Sequence, residues 1–213
     1  MTGYNGYKEI VFTEEQFSQI YTDGRVGDYI FKENEYVIAK NEEDEIVDKF
    51  ICKGGRLERV PFQTLKNVYL GVVKPRNPQQ ELVVDLLLDP DAKIKVVKGV
   101  YGSGKDYLML SAALQLIEKG KFDKIVFVRP NVSVRGLPDI GALPGTADEK
   151  LSWTLAPLWD KVGGEEGVAM MLDKKILESV PLLFIRGRSF EKSIVYVNMQ
   201  MNQHHSFLFI ILI

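Results

Sequence analysis

The chain has 213 residues, 46% hydrophobic and 26% charged, which is ordinary globular usage and enough for one core with a small appended module. A formal net charge of -2 and a pI near 5.8 exclude a global basic field for nucleic acid, so any basic surface is local. Cys52 is the only cysteine, which excludes an internal disulfide and a cysteine-cluster metal site, and no apolar stretch reaches the roughly 20 residues that cross a bilayer.

From the start to about Val72 the chain reads as short alternating segments broken by turn residues: EYVIAK, NEEDEIVDKFICKGG, RLERVPF. This predicts a small β-rich N-terminal module over 1–72, with 13 acidic and 9 basic residues and so a net charge of -4. The opening MTGYNGYKEI has neither a basic n-region nor an apolar h-region, which together with the single cysteine points to a cytoplasmic protein. The remainder, 73–213, is net +2. After VVKPRNP, the run QQELVVDLLLD has helical spacing, IKVVKGV reads as a strand, and YLMLSAALQLIEKG reads as a helix ended by Gly120. KIVFVRP is a buried-type strand, and 131–145 is a long loop rich in Gly and Pro beside the strand ends. A helical stretch from about Asp148 and two further strands, PLLFIRGRS and KSIVYVNM, complete the order. The alternation of helix and strand predicts an α/β fold with a parallel sheet flanked by helices.

The strongest chemical signal is Gly99 to Asp106, GVYGSGKD, which matches GxxxxGK between a predicted strand and a predicted helix. Gly99, Gly102 and Gly104 let the backbone turn so that successive amides point inward. The helix N-terminus adds partial positive charge, and Lys105 reaches the outer phosphates. Tyr101 and Ser103 fill the remaining loop positions, and a triphosphate is the natural guest. The plain alternative is a glycine-rich turn with a solvated lysine. The last position is Asp106, where the motif calls for Ser or Thr, whose hydroxyl ligates magnesium beside the phosphates. A carboxylate is also a hard oxygen ligand for magnesium, though its charge opposes the phosphates. Equally, Asp106 suits a helix first turn for its dipole alone.

Five blocks in order, KPRNPQQELVVDLLLD, the glycine-rich loop, KIVFVRPNVSVRGLPDIGALPG, DEKLSWTLAPLWD and FIRGRSFEKSIVYV, resemble the PhoH-like family of P-loop NTPases over roughly Lys74 to Val197. The resemblance implies a P-loop NTPase-like core that takes ATP and magnesium, with hydrolysis serving RNA metabolism. It carries RNA or single-stranded nucleic acid as a partner, and a ring-shaped homo-oligomer. The N-terminal module is similar to the segment that precedes the ATPase part in relatives with an extra nuclease domain. Gln80 matches a glutamine that contacts adenine in related helicase-like ATPases, its alternative being a polar residue at a helix start. Lys105, Gly102 and Gly104 match the phosphate loop. Arg129, Arg186 and Arg188 match arginines that the family keeps near its nucleotide or subunit interface, with surface salt bridging as the alternative.

The family's second acidic motif is a strand running into Asp-Glu-Ala-Gln-Asn, the Asp holding magnesium and the Glu polarising water. Here the text is IVYVNMQMN: Asn198 takes the Asp position, Met199 the Glu position, and Asn202 fits the final Asn. Asn carries no charge and Met is no base, so this pair is not expected to activate water. Lys105 and Asn198 are thus the candidate catalytic positions, the second degenerate. The tail QMNQHHSFLFIILI is read as a truncated or frame-damaged ending. In it, Phe207 to Ile213 are either a last buried strand or out-of-frame sequence, and in a truncated chain they would add a hydrophobic edge to an unfinished sheet. His204 and His205 lack a third ligand nearby and are not expected to hold a metal, and Trp153 and Trp159 are read as packing residues. Two functions stay open: an ATP-driven RNA-remodelling ATPase, or a nucleotide-binding or interaction module without useful turnover.

Overall fold

The computed structural model describes residues 6–27, 29–129, 162–182, 185, 187–200 and 205–212, with the backbone alone at 129, 198–200 and 205–212. The expected loop at 131–145, the helical stretch from Asp148 with its two tryptophans, Arg186, Asn202 and His204 lie outside the described residues. The chain forms two compact units, one of 1–63 with 75–85 and one of 64–74 with 86–213.

In the first unit, β1 (Tyr7–Val11), β2 (Tyr36–Lys40), β3 (Ile46–Lys53) and β4 (Arg56–Arg59) form a sheet in that order, with β1 and β2 parallel and the other pairs antiparallel. A parallel pair requires a crossover, and here it contains helix α1 (Glu14–Asp23), which the β-rich reading of this region missed. Thr13 caps α1 by accepting from the Gln16 amide, while the Gln16 side chain accepts from the Thr13 amide. Phe17 and Ile20 of α1 meet Phe12, Val37, Ala39, Phe50, Cys52 and Leu57 in one apolar cluster. Cys52 is a buried free thiol, and burial pushes its pKa up.

Helix α2 (Pro78–Leu88) starts in this first unit. Two acidic side chains four residues apart hold it there. Glu81 pairs with Lys49 at 2.9 Å, and Asp85 accepts from the Tyr36 hydroxyl at 2.9 Å and from Gln63 Nε2 at 3.1 Å. The hairpin β5 (Leu65–Asn67) and β6 (Gly71–Val73) goes instead with the second unit. The chain therefore passes between units at 63, 74 and 85, where the sequence suggested one change of pattern after 72.

The second unit is built on a five-stranded sheet, ordered β7 (Ile94–Val100), β11 (His205–Leu212), β10 (Ser193–Gln200), β8 (Lys124–Arg129), β9 (Leu177–Pro181). β10, β8 and β9 are parallel, and β11 is antiparallel to both β10 and β7, so β7 runs the same way as β10. Of the readings of Phe207 to Ile213, a last strand is the one found, and the hydrophobic edge is not: among the described residues β11 is paired on both sides, by β7 and β10, and β7 and β9 are the edges. Only four residues separate β10 from β11, too few for the crossover that a parallel partner needs, so the pairing is antiparallel. The strand expected over 181–189 is also displaced, since β9 spans Leu177–Pro181 and Gly187 has φ 77.

Helix α3 (Lys105–Glu118) is buried along Leu108 to Gln115, and β8 and β10 stack Phe127 on Tyr196 with centroids 5.1 Å apart. A second cluster joins Val126, Val128, Val180, Phe190, Val195 and Val197. Helix α4 (Gly164–Asp173) requires glycine at 167, where a Cβ would stand 1.7 Å from the Val162 carbonyl oxygen. Among the described residues, no helix is long and apolar enough to cross a membrane.

Candidate functional site

Strand β7 ends at Val100, four loop residues follow, and α3 starts at Lys105. Two glycines make this turn: Gly102 has φ 75 and Gly104 has φ 84, left-handed values that side chains other than Gly rarely adopt. The Ser103 amide donates back to the Val100 carbonyl at 3.4 Å, and the Leu108 amide donates to Gly104 as the helix begins. The amides of that first turn have no intrahelical acceptor, so they supply donors and partial positive charge at the loop's mouth.

Lys105 is 7% exposed, and its Nζ donates to the Val100 carbonyl at 2.6 Å and to Ser103 Oγ at 3.0 Å. Gly99 lies against this arm; a Cβ there would come within 3.2 Å of Ser103 Oγ and 3.4 Å of Lys105 Cδ. Burial lowers the Lys105 pKa, and the neighbouring Asp106 charge opposes that shift. The loop thus gathers Gly99, Gly102, Ser103, Gly104, Lys105 and Asp106 in one place, while Tyr101 is 45% exposed on the turn.

The two elements that flank the loop are each anchored. Ser111, Gln115 and Glu118 of α3 grip the β5–β6 hairpin. Asn67 Nδ2 donates to Ser111 Oγ at 2.9 Å, the Lys66 amide to Gln115 Oε1 at 2.6 Å, and the Val68 amide to Glu118 Oε1 at 2.7 Å. At the base of β7, the buried Lys95 Nζ donates to the carbonyls of Leu87 at 2.8 Å and Asp89 at 2.5 Å, capping the end of α2. Sequence periodicity gave no sign of either anchor, because both use polar groups at positions that a hydrophobic pattern scores as noise.

Asp106 adds a contact that the motif does not contain. The Tyr196 hydroxyl of β10 donates to Asp106 Oδ1 at 2.5 Å. Tyr196 is 2% exposed, and burial first, then the Asp106 charge and hydrogen bond, raises its pKa well above the tyrosine range. The available signal was one hydroxyl in the otherwise apolar run IVYV.

Asn198 pairs in register with Leu208, and Gln200 with Ser206, which in turn pairs with Gly99. The C-terminal end of β10 therefore reaches the same end of the sheet as the glycine-rich loop, where α/β folds seat ligands. Arg129 closes β8 in register with Pro181. Arg188 is engaged elsewhere: it donates to Glu178 at 2.6 Å and its guanidinium lies 5.2 Å from the Phe190 ring centroid. Gln80 belongs to the first unit, where its amide donates to Asn77 Oδ1 at 2.8 Å and its Oε1 accepts from the Arg76 amide at 2.8 Å. Those contacts make it part of the start of α2.

Among the described residues no group of three or more His, Cys, Asp or Glu could hold a metal ion. Magnesium asks for less, since it usually takes one or two carboxylates and completes its shell with phosphate oxygens and water. The hard oxygen of Asp106 at the loop's mouth fits that pattern.

The profile of the PhoH-like protein family matches residues 72–212. Protein PhoH2 of Bacillus subtilis (strain 168) is 29% identical over 219 residues, covering 93% of this chain and 48% of that protein. Protein PhoH2 of Thermobispora bispora is 35% identical over 130 residues, covering 59% and 30%, and a PhoH-like protein of B. subtilis is 32% identical over 107 residues, covering 49% and 33%. The chain spans about half the length, or less, of these relatives. With the profile covering most of the chain and an α/β sheet that carries the glycine-rich loop between β7 and α3, this protein belongs to the PhoH-like family and has a P-loop NTPase-like fold.

Proposed function

We propose that this chain binds ATP, with magnesium carried on its phosphates, over the loop Gly99 to Asp106. The observation that carries the reading is the junction of β7 and α3. There, left-handed Gly102 and Gly104 turn the backbone into a helix N-terminus, and the Lys105 ammonium lies over Gly99 at its mouth. Lys105 Nζ already sits between two oxygens, the Val100 carbonyl and Ser103 Oγ, and a phosphate oxygen is a stronger acceptor for it than either. Gly99, Gly102, Ser103 and Gly104 contribute the cradle, Tyr101 its rim and Asp106 the oxygen nearest the metal; Arg129 is a secondary candidate for the phosphates.

Hydrolysis of ATP by this chain, in service of RNA metabolism within a cytoplasmic ring of subunits, is the fuller form of the reading and draws on family resemblance. One observation favours a second, narrower form, a nucleotide-binding module with little turnover. Asn198 and Met199 stand where water activation needs a carboxylate pair, and Asp106 is held by Tyr196. The test is paired, ATP binding by calorimetry with magnesium and phosphate release on the same sample, for the native chain and Lys105→Ala. Binding lost in Lys105→Ala without phosphate release supports the narrower form, Lys105-dependent release supports the fuller one, and no binding by the native chain rejects both.

A further inference from the structure

A phenol buried to 2% exposure inside a sheet must find a partner for its hydroxyl. Tyr196 has an aromatic partner for its ring in Phe127 of β8, at 5.1 Å. It finds its acceptor on the next element, in the first turn of α3, at the residue beside Lys105. The acceptor is the one carboxylate that the phosphate loop carries, at the position from which a P-loop reaches its metal.

We propose that Tyr196 is a positioning residue that sets the metal dependence of nucleotide binding, because its hydroxyl and a divalent cation compete for the Asp106 carboxylate. The inference rests on the loop being a nucleotide site. A carboxylate oxygen that accepts a short, charge-assisted hydrogen bond is aimed at β10 and has its charge screened by the donor. In that state it repels incoming phosphates less, so nucleotide is accepted without metal. To ligate a cation, the same carboxylate has to weaken or leave the Tyr196 hydroxyl, so the cation must be present at higher concentration. Removing the hydroxyl reverses both effects. The carboxylate loses the donor that screens its charge beside the phosphates, which penalises metal-free nucleotide, and it becomes a better ligand for magnesium. A hydroxyl that merely tied α3 to the sheet would change affinity equally with and without metal.

The experiment is calorimetric titration of ATP into the full chain, native and Tyr196→Phe, in EDTA and across a magnesium series. Tyr196→Phe keeps the ring on Phe127 and removes only the oxygen. Expected are an ATP affinity about tenfold weaker in EDTA and a half-saturating magnesium concentration about tenfold lower, the scale of one charge-assisted hydrogen bond. Asp106→Asn removes the contested charge, so it should flatten the magnesium response and make an added Tyr196→Phe silent. This second variant decides the matter even where Tyr196→Phe does not fold, since a magnesium response that persists in Asp106→Asn overturns the proposal. ATP binding with the same metal curve in native and Tyr196→Phe also overturns it while leaving nucleotide binding intact, whereas no ATP binding by the native chain removes the nucleotide reading and this inference together.

Discussion

The glycine-rich loop and the C-terminal end of β10 reach the same end of one sheet, yet they have fared differently. In the loop, the residues that matter work mainly through backbone: Gly102 and Gly104 hold left-handed φ, and α3 presents its first amides. At the end of β10 the strand is intact and in register with β8 and β11, but Asn198 and Met199 carry no charge. A site made of main-chain donors survives a change of neighbours so long as its turn can form. One made of side-chain carboxylates is lost with two substitutions while its scaffold remains.

The sharpest way to break this contrast is to restore the acid pair. Asn198→Asp with Met199→Glu should raise phosphate release about a hundredfold over the native chain, the lower range of what a positioned base contributes. The increase should vanish in the added presence of Lys105→Ala; no increase would mean that the deficit at β10 is not what limits turnover. The support beneath the loop comes next. Asn67→Ala removes the donor to Ser111 and the acceptor for the Leu70 amide. It should cost about 2 kcal/mol in urea unfolding, with the buried Ser111 hydroxyl left short of a partner. A smaller effect is expected at Gly102, where alanine at φ 75 should cost about 1 kcal/mol.

The smallest effect is expected at the far edge of the sheet, which serves as a reference. Burial alone would raise the Glu178 pKa, but hydrogen bonds and charge from Lys124 and Arg188 outweigh it and hold it below the usual glutamate value. A carboxyl lowered on folding adds stability above its unfolded pKa, and that contribution is lost as pH falls through the folded value. Glu178→Gln should therefore blunt acid destabilisation below about pH 4.5, by less than about 1 kcal/mol, and leave ATP affinity unchanged. A change in affinity would show that β9 and the loop are coupled.

Much of the core was legible because its signals are local. Helical spacing in QQELVVDLLLD and the β-branched run KIVFVRP became α2 and β8 with bounds close to those expected. The loop was legible because glycine at fixed positions has one main physical use. Helix α1 was missed in a region read as strands, although Thr13 and Gln16 form its capping box. Tyr196 was missed as a partner of Asp106 because nothing local joins residues 90 positions apart.

The sequence by itself determined the glycine-rich loop, the family and the uncharged Asn198 and Met199 at the end of β10, since each depends on residue identity within a short window. Tertiary structure alone decided that β11 enters between β7 and β10, that α2 is shared between two units, and that the loop's carboxylate answers to a tyrosine on β10. Those outcomes depend on which strand edges and polar groups are left to pair once the chain is compact, and no window of sequence contains that information.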